Sequence, residues 1–185
     1  MLDGSETLGG LVVQGGDVDL KSTRFEGIAV RRGSALEVRA GRIGLVDCTF
    51  RNNTAGSTPS GSSSSVIQFG IQFGGGIRIL GGEITALGCR FVANRGEMGG
   101  GVAALGGGCV LTRCSFSGNV ARRGGAIYVS GWAEAGAPAG GGVDMIDCSI
   151  EGNVATELGG GLYVASPDAA SAGGQAGYGQ AGFWQ

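Results

Sequence analysis

Short apolar runs recur along this chain, and each leads into a cysteine: "IGLVDC" ending at Cys48, "ITALGC" at Cys89, "CVLTRC" at Cys114 and "VDMIDC" at Cys148. At four to six residues, rich in β-branched types, these runs predict strands and are too short for helices. Within each run apolar residues stand five and three before the cysteine: Ile43/Leu45, Ile84/Ala86, Cys109/Leu111 and Val143/Met145. Alternation puts each pair on one face. The cysteine and the residue two after it (Phe50, Phe91, Phe116, Ile150) form a second inward pair of opposite parity, so the chain has to bend between the two groups. Glycine clusters then precede a third alternating run, with Ile77/Ile79, Val102/Ala104, Ile127/Val129 and Leu162/Val164 inward and Arg78, Ala103, Tyr128 and Tyr163 outward.

Alignment on the cysteines exposes a repeat. An asparagine falls five residues after each one, at Asn53, Asn94, Asn119 and Asn153, and a weaker unit has Thr23 in the cysteine slot, Phe25 two on and Ile28 in place of asparagine. Thr23 to Cys48 and Cys89 to Cys114 are each 25 residues. The other two intervals are 41 and 34, and their excess falls in "TAGSTPSGSSSSV" and "WAEAGAPAGG", which read as loops inserted into a 25-residue period. A period of this length signals a solenoid. Three short strands per turn predict an all-β fold, a single-stranded, right-handed parallel β-helix of five to six coils, since parallel crossovers are almost always right-handed. Residues 18–166 form this body, with inserts near 54–73 and 130–141, residues 1–17 as an N-terminal cap or edge segment, and 167–185 as a Gly/Ala/Gln-rich tail.

The repeated residues then acquire structural roles. Asn53, Asn94, Asn119 and Asn153 sit at corners, where each amide bonds the next coil's asparagine and where asparagine tolerates a left-handed backbone. Cys48, Cys89, Cys114 and Cys148 stack as a thiol column inside the core, and Cys109 fills an aliphatic slot as a small hydrophobe. Coil spacing also lets Cys89 and Cys114 reach disulfide distance, but a ladder of five free thiols is the better reading. Glycine supplies the positive φ and close approach needed before the third strand.

Composition narrows the function. Glycine accounts for 42 of 185 residues, yet a hydrophobic fraction of 42% and a net charge of −2 leave enough apolar material for a core. Histidine is absent, which removes His-dependent nucleophilic triads, an imidazole general base and mixed Cys/His zinc sites. No cofactor or metal is expected. Arginines are scattered, and the pairs Arg31–Arg32 and Arg122–Arg123 read as solvated rims, so no nucleic-acid partner is expected. "MLDGSETLGG" lacks the apolar stretch of a secretory signal, and no run approaches the roughly 18 apolar residues of a membrane span.

Repeated Phe-x-x-Asn, at Phe50 to Asn53, Phe91 to Asn94 and Phe116 to Asn119, coupled to Gly-Gly-Ala-Ile at Gly124 to Ile127, resembles the passenger domains of chlamydial polymorphic membrane proteins and related pectin-lyase-like surface proteins. The resemblance spans about residues 18–165; three of its four glycine motifs read Gly-Gly-Gly, and the last Phe-x-x-Asn reads IEGN. It implies an extracellular or cell-surface module that adheres to a host-cell protein or glycan. The leading expectation is therefore a non-enzymatic structural or adhesive module, with Tyr128 and Tyr163 as candidate ligand contacts.

The alternative is a carbohydrate-active lyase or hydrolase, which needs paired acids. Its nearest candidates are Asp47, Asp144 and Asp147. Asp47 and Asp147 are separated by Gly88 and Arg113 in the outward column Ser22, Asp47, Gly88, Arg113, Asp147, which leaves Arg113 and Asp147 to form a surface ion pair. Beyond Pro167 the aromatic residues Tyr178, Phe183 and Trp184 are candidates to cover the end of the stack, whose bare strand edges otherwise invite end-to-end self-association.

Overall fold

A computed structural model of the chain describes residues 10–30, 34–56, 73–130 and 142–165. Among these residues every regular element is a β-strand and every pairing is parallel. The first coil comprises β1 (Leu11–Val13), β2 (Asp17–Lys21), β3 (Arg24–Glu26) and β4 (Ala29–Val30). In the second are β5 (Leu36–Val38), β6 (Arg42–Val46), β7 (Thr49–Arg51) and β8 (Thr54–Ala55). The third contains β9 (Ile77–Ile79), β10 (Glu83–Leu87) and β11 (Arg90–Val92). β12 (Val102–Ala104), β13 (Gly108–Thr112), β14 (Ser115–Ser117) and β15 (Val120–Arg123) follow. The fifth has β16 (Ile127–Ser130), β17 (Gly142–Ile146), β18 (Ser149–Glu151) and β19 (Val154–Leu158), and β20 (Leu162–Ala165) opens a sixth.

Equivalent strands of successive coils pair with one another. One six-stranded sheet runs β1-β5-β9-β12-β16-β20, and two five-stranded sheets run β2-β6-β10-β13-β17 and β3-β7-β11-β14-β18. A fourth, short ladder that the three-strand reading omits follows each asparagine position: β4 pairs β8, β15 pairs β19, and bridges from Thr54 through Arg95 to Val120 join the two. Residues 1–9, much of the 54–73 and 130–141 inserts, and the tail from 166 lie outside the described residues. The segment assigned to an N-terminal edge supplies β1, the terminal strand of the six-stranded sheet. Likewise the coil runs two residues past Asn53, as β8, before the first insert begins.

The inward residues of the three sheets meet in one core. Phe25, Phe50, Phe91 and Phe116 form a continuous column, with ring centroids 4.7, 5.1 and 4.5 Å apart and planes within 4° of parallel. These spacings match the rise between parallel strands, so the rings stack because the backbone does. Burying each ring stabilises the fold by about 1.5–3 kcal/mol.

Two kinds of bend turn the chain. The residue before each cysteine position is left-handed: Ser22, Asp47, Gly88, Arg113 and Asp147 all have φ between 47° and 65°. This is the bend that the parity change requires. At the asparagine corner the left-handed residue is the one before the asparagine, namely Gly27, Asn52, Ala93, Gly118 and Gly152. Asn53, Asn94, Asn119 and Asn153 themselves keep ordinary φ, which corrects the expectation that they adopt the left-handed turn. Their amides are what the corner uses.

Glycine is sterically required ahead of the six-stranded sheet. Gly74, Gly99, Gly124 and Gly159 have φ between 62° and 71°. A Cβ on the next residue, Gly100, would press on the Gly125 carbonyl and lie 2.8 Å from Val120 O.

Candidate functional site

The repeated polar residues are consumed by stacking. Asn53 Nδ2 and its backbone N–H both donate to Asn94 Oδ1, at 3.0 and 3.1 Å. Asn94 does the same to Asn119 Oδ1 at 3.0 Å, and Asn119 to Asn153 Oδ1 at 2.8 and 2.9 Å. The second amide proton of each asparagine reaches the phenylalanine carbonyl of the preceding coil: Asn53 to Phe25, Asn94 to Phe50, Asn119 to Phe91 and Asn153 to Phe116. Asn53, Asn94 and Asn119 are fully buried, and these bonds satisfy their amides.

The thiol column follows the same rule. Cys48, Cys89, Cys114 and Cys148 each donate weakly to a carbonyl of the preceding coil, those of Leu20, Leu45, Ala86 and Leu111, at 3.3–3.7 Å. Thr23, in the same slot, bonds the Lys21 carbonyl at 3.1 Å. All five cysteines are free thiols. Burial pushes Cys109 up to about 12, and its register partners are Ile84 and Val143, as its aliphatic slot implied. The thiol-to-thiol contact of Cys89 with Cys114 pulls Cys114 down to about 7 and pushes Cys89 up.

The acidic candidates do not converge. Asp47, Asp144 and Asp147 are all exposed, and the register of the flanking strands sets Gly88 and Arg113 between Asp47 and Asp147. No group of three or more metal-ligating side chains forms among the described residues. The expected ion pair between Arg113 and Asp147 is also absent among the described contacts. Both side chains project from an exposed bend, where a pair is worth under about 1 kcal/mol and water competes for each charge.

The tyrosines lie on the outer face of the six-stranded sheet. Tyr128 and Tyr163 are in register, with ring centroids 5.7 Å apart. They differ sharply in access. Tyr163 is half-buried, whereas Tyr128 is 7% exposed, packed near Met98, Ala103 and Leu105, with the Phe73 ring at 6.0 Å. Burial pushes its phenol up. Of the expected tyrosine strip, Tyr163 alone offers a ring to solvent, because Tyr128 has become part of a second apolar cluster.

Sequence reasoning missed the other end of this face. Glu37, on β5, is 4% exposed and receives Arg39 Nε at 2.7 Å, with Arg78 Nη1 at 3.6 Å; the Arg78 guanidinium also lies 5.5 Å from the Phe73 ring centre. β5 lacks the glycine pair that precedes β9, β12, β16 and β20, since Ser34 and Ala35 stand before it, so its outward residue drew no notice. The outer face thus grades from a Glu37–Arg39–Arg78 cluster to a Phe73–Tyr128–Tyr163 cluster. Arg122 and Arg123, expected as solvated rims, instead form a network: Arg122 reaches Glu97 at 2.7 Å and Glu157 at 2.9 Å, and Arg123 reaches Glu157 at 2.9 Å. Arg31 and Arg32 lie outside the described residues.

In most coils, then, the left-handed bends, a thiol, a ring, an amide and a glycine pair recur in fixed register. Residues 113–130 match the Chlamydia polymorphic membrane protein (Chlamydia_PMP) repeat. The matched stretch runs from the left-handed Arg113 through Cys114, Phe116, Asn119 and Gly124 to the end of β16. It therefore holds the left-handed bend, thiol, ring, amide and glycine pair of one coil, without β13, which pairs β10 and β17. In comparisons with curated proteins and with solved structures nothing matches. The resemblance noted from the motifs thus rests on one coil of the polymorphic membrane protein repeat, and the same positions return in the neighbouring coils by register.

Proposed function

We propose that this chain is a non-enzymatic, cell-surface structural or adhesive module, built as a right-handed parallel β-helix closed around its Phe and Cys columns. The observation that carries this reading is where the repeated residues go. Each asparagine, cysteine and phenylalanine that recurs is spent on its neighbour coil, as scaffolding requires, and none converges on a reaction centre. The polymorphic membrane protein repeat at residues 113–130 supports a surface location. Adhesion belongs to the outer face of the six-stranded sheet, where Tyr163 offers an aromatic ring on a rigid platform suited to a host protein or glycan.

Binding of the recombinant chain to cultured epithelial cells and to a glycan array tests this. Tyr163→Ser should weaken binding at least tenfold with the circular dichroism spectrum unchanged. Retention of full binding by that variant would remove the face from the proposal. The enzymatic alternative predicts release of unsaturated or reducing sugar from uronic-acid polymers, and its loss in Asp147→Asn.

A further inference from the structure

The asparagine ladder has a direction, and Asn153 is its last member among the described residues. Every asparagine oxygen accepts from the coil before it: Asn94 from Asn53, Asn119 from Asn94, Asn153 from Asn119 and, at the other end, Asn53 from the Ile28 backbone N–H at 3.0 Å. Each asparagine in turn directs its backbone N–H and one amide proton at the oxygen of the coil after it. Asn153, half-buried, has no acceptor for either donor among the described residues. Around it the strands of the last coil expose apolar side chains that face the core elsewhere: Leu162 is 39% and Val164 61% exposed. Val129, Val143, Met145, Leu162 and Val164 line an open hollow of about 240 Å³.

We infer that this end of the stack is a strand-addition site selective for a polypeptide segment that carries asparagine at the corner position, a coil of the Phe-x-x-Asn type. The site has the geometry of the coil-to-coil interface already repeated through the described residues. Addition of such a segment supplies Oδ1 to both Asn153 donors, sets an aromatic ring over Ile150 and pairs the open strand edges. A second copy of this chain docking by its opposite end does not fit. That end presents Ile28 at the corner and would bury both donors without an acceptor. The inference stands on coil geometry alone and is independent of the adhesive reading.

A fluorescently labelled peptide with the sequence of residues 107–130, titrated with the full chain, tests it. Saturable binding is expected, at least tenfold weaker when the peptide carries Asn119→Ile, in imitation of Ile28. In the full chain Val164→Arg, at an exposed position, should abolish binding with an unchanged circular dichroism spectrum. Equal affinity for both peptides would overturn the selectivity. Binding that survives Val164→Arg would place the peptide elsewhere. Failure of the full chain to bind would show that another segment holds the face, and dimerisation of the chain abolished by Val164→Arg would assign it to a second copy. Each of these four results sinks the proposal.

Discussion

Asn119 shows how a polar residue becomes a core residue. Its oxygen accepts two bonds from Asn94, and its amide donates to Phe91 O and Asn153 Oδ1, with no exposure at all. Asn119→Ala strands partners on both sides in a water-free corner, and should cost about 3 kcal/mol. That corresponds to a fall of roughly 10 °C in Tm, read by thermal melting. Ala93 presents the opposite case: φ is 52° where three of the four equivalent positions carry glycine. Ala93→Gly should raise stability by roughly 1 kcal/mol, and a lowered melting temperature would show that the left-handed turn carries no strain. Cys109 gives an alkaline signature. Its folded pKa, about 12, lies above the ordinary 9.0, so the folded state holds the proton that the unfolded chain releases. Its stabilising contribution is complete below pH 9 and is lost as pH rises through 12. Between pH 9 and 10 that loss is roughly 1 kcal/mol, and Cys109→Val should remove it, as measured by urea unfolding at the two pH values.

Among the elements, the first insert offers the sharpest test of register. Asn53 and Asn94 are 41 residues apart, Asn94 and Asn119 only 25. Thr54 bridges Arg95, and Phe73 bridges Met98. Gly56 therefore stands opposite Glu97, next to Phe73, and deletion of residues 57–72 joins two positions that the ladder already places side by side. The shortened chain should melt within a few degrees of the parent, since loop length costs little. Loss of the β spectrum would mean that the insert carries part of the core. The strands themselves were legible because inward residues alternate through each run. β5 is the exception: without a glycine pair before it, "ALEV" carries no flag, and the Glu37–Arg78 pair that it anchors is not legible in the sequence.

At the scale of the whole molecule the stack is a sum of nearly identical interfaces, so its chemistry depends on what the columns leave outside. Asp47 and Asp147 lie two coils of separation apart beyond simple adjacency, with Gly88 and Arg113 intervening, a span of roughly 14 Å at the strand spacing. Two-carboxylate mechanisms need closer groups. Incubation with pectin or alginate, with and without calcium, should accordingly release no unsaturated or reducing sugar. Turnover that disappears in Asp147→Asn would replace the structural reading with the enzymatic one.

The sequence by itself determined the period, the inward columns and the amide ladder. In a stack of coils the spatial neighbour of a residue is its equivalent one period away, so aligning Cys48, Cys89, Cys114 and Cys148 already states which side chains touch. Tertiary structure alone decided what has no period. Whether an outward residue is solvated depends on lateral packing, which differs from coil to coil; it buried Tyr128 against Met98 and Leu105 while leaving Tyr163 open. The Arg122–Glu97 and Arg123–Glu157 pairs, by contrast, obey the period: the first share the slot three after the asparagine and the second the slot four after it, and the fourth ladder brings those corners together. Backbone sign was likewise hidden: glycine, asparagine and alanine all occupy the left-handed corner, and steric preference alone could not single out Ala93.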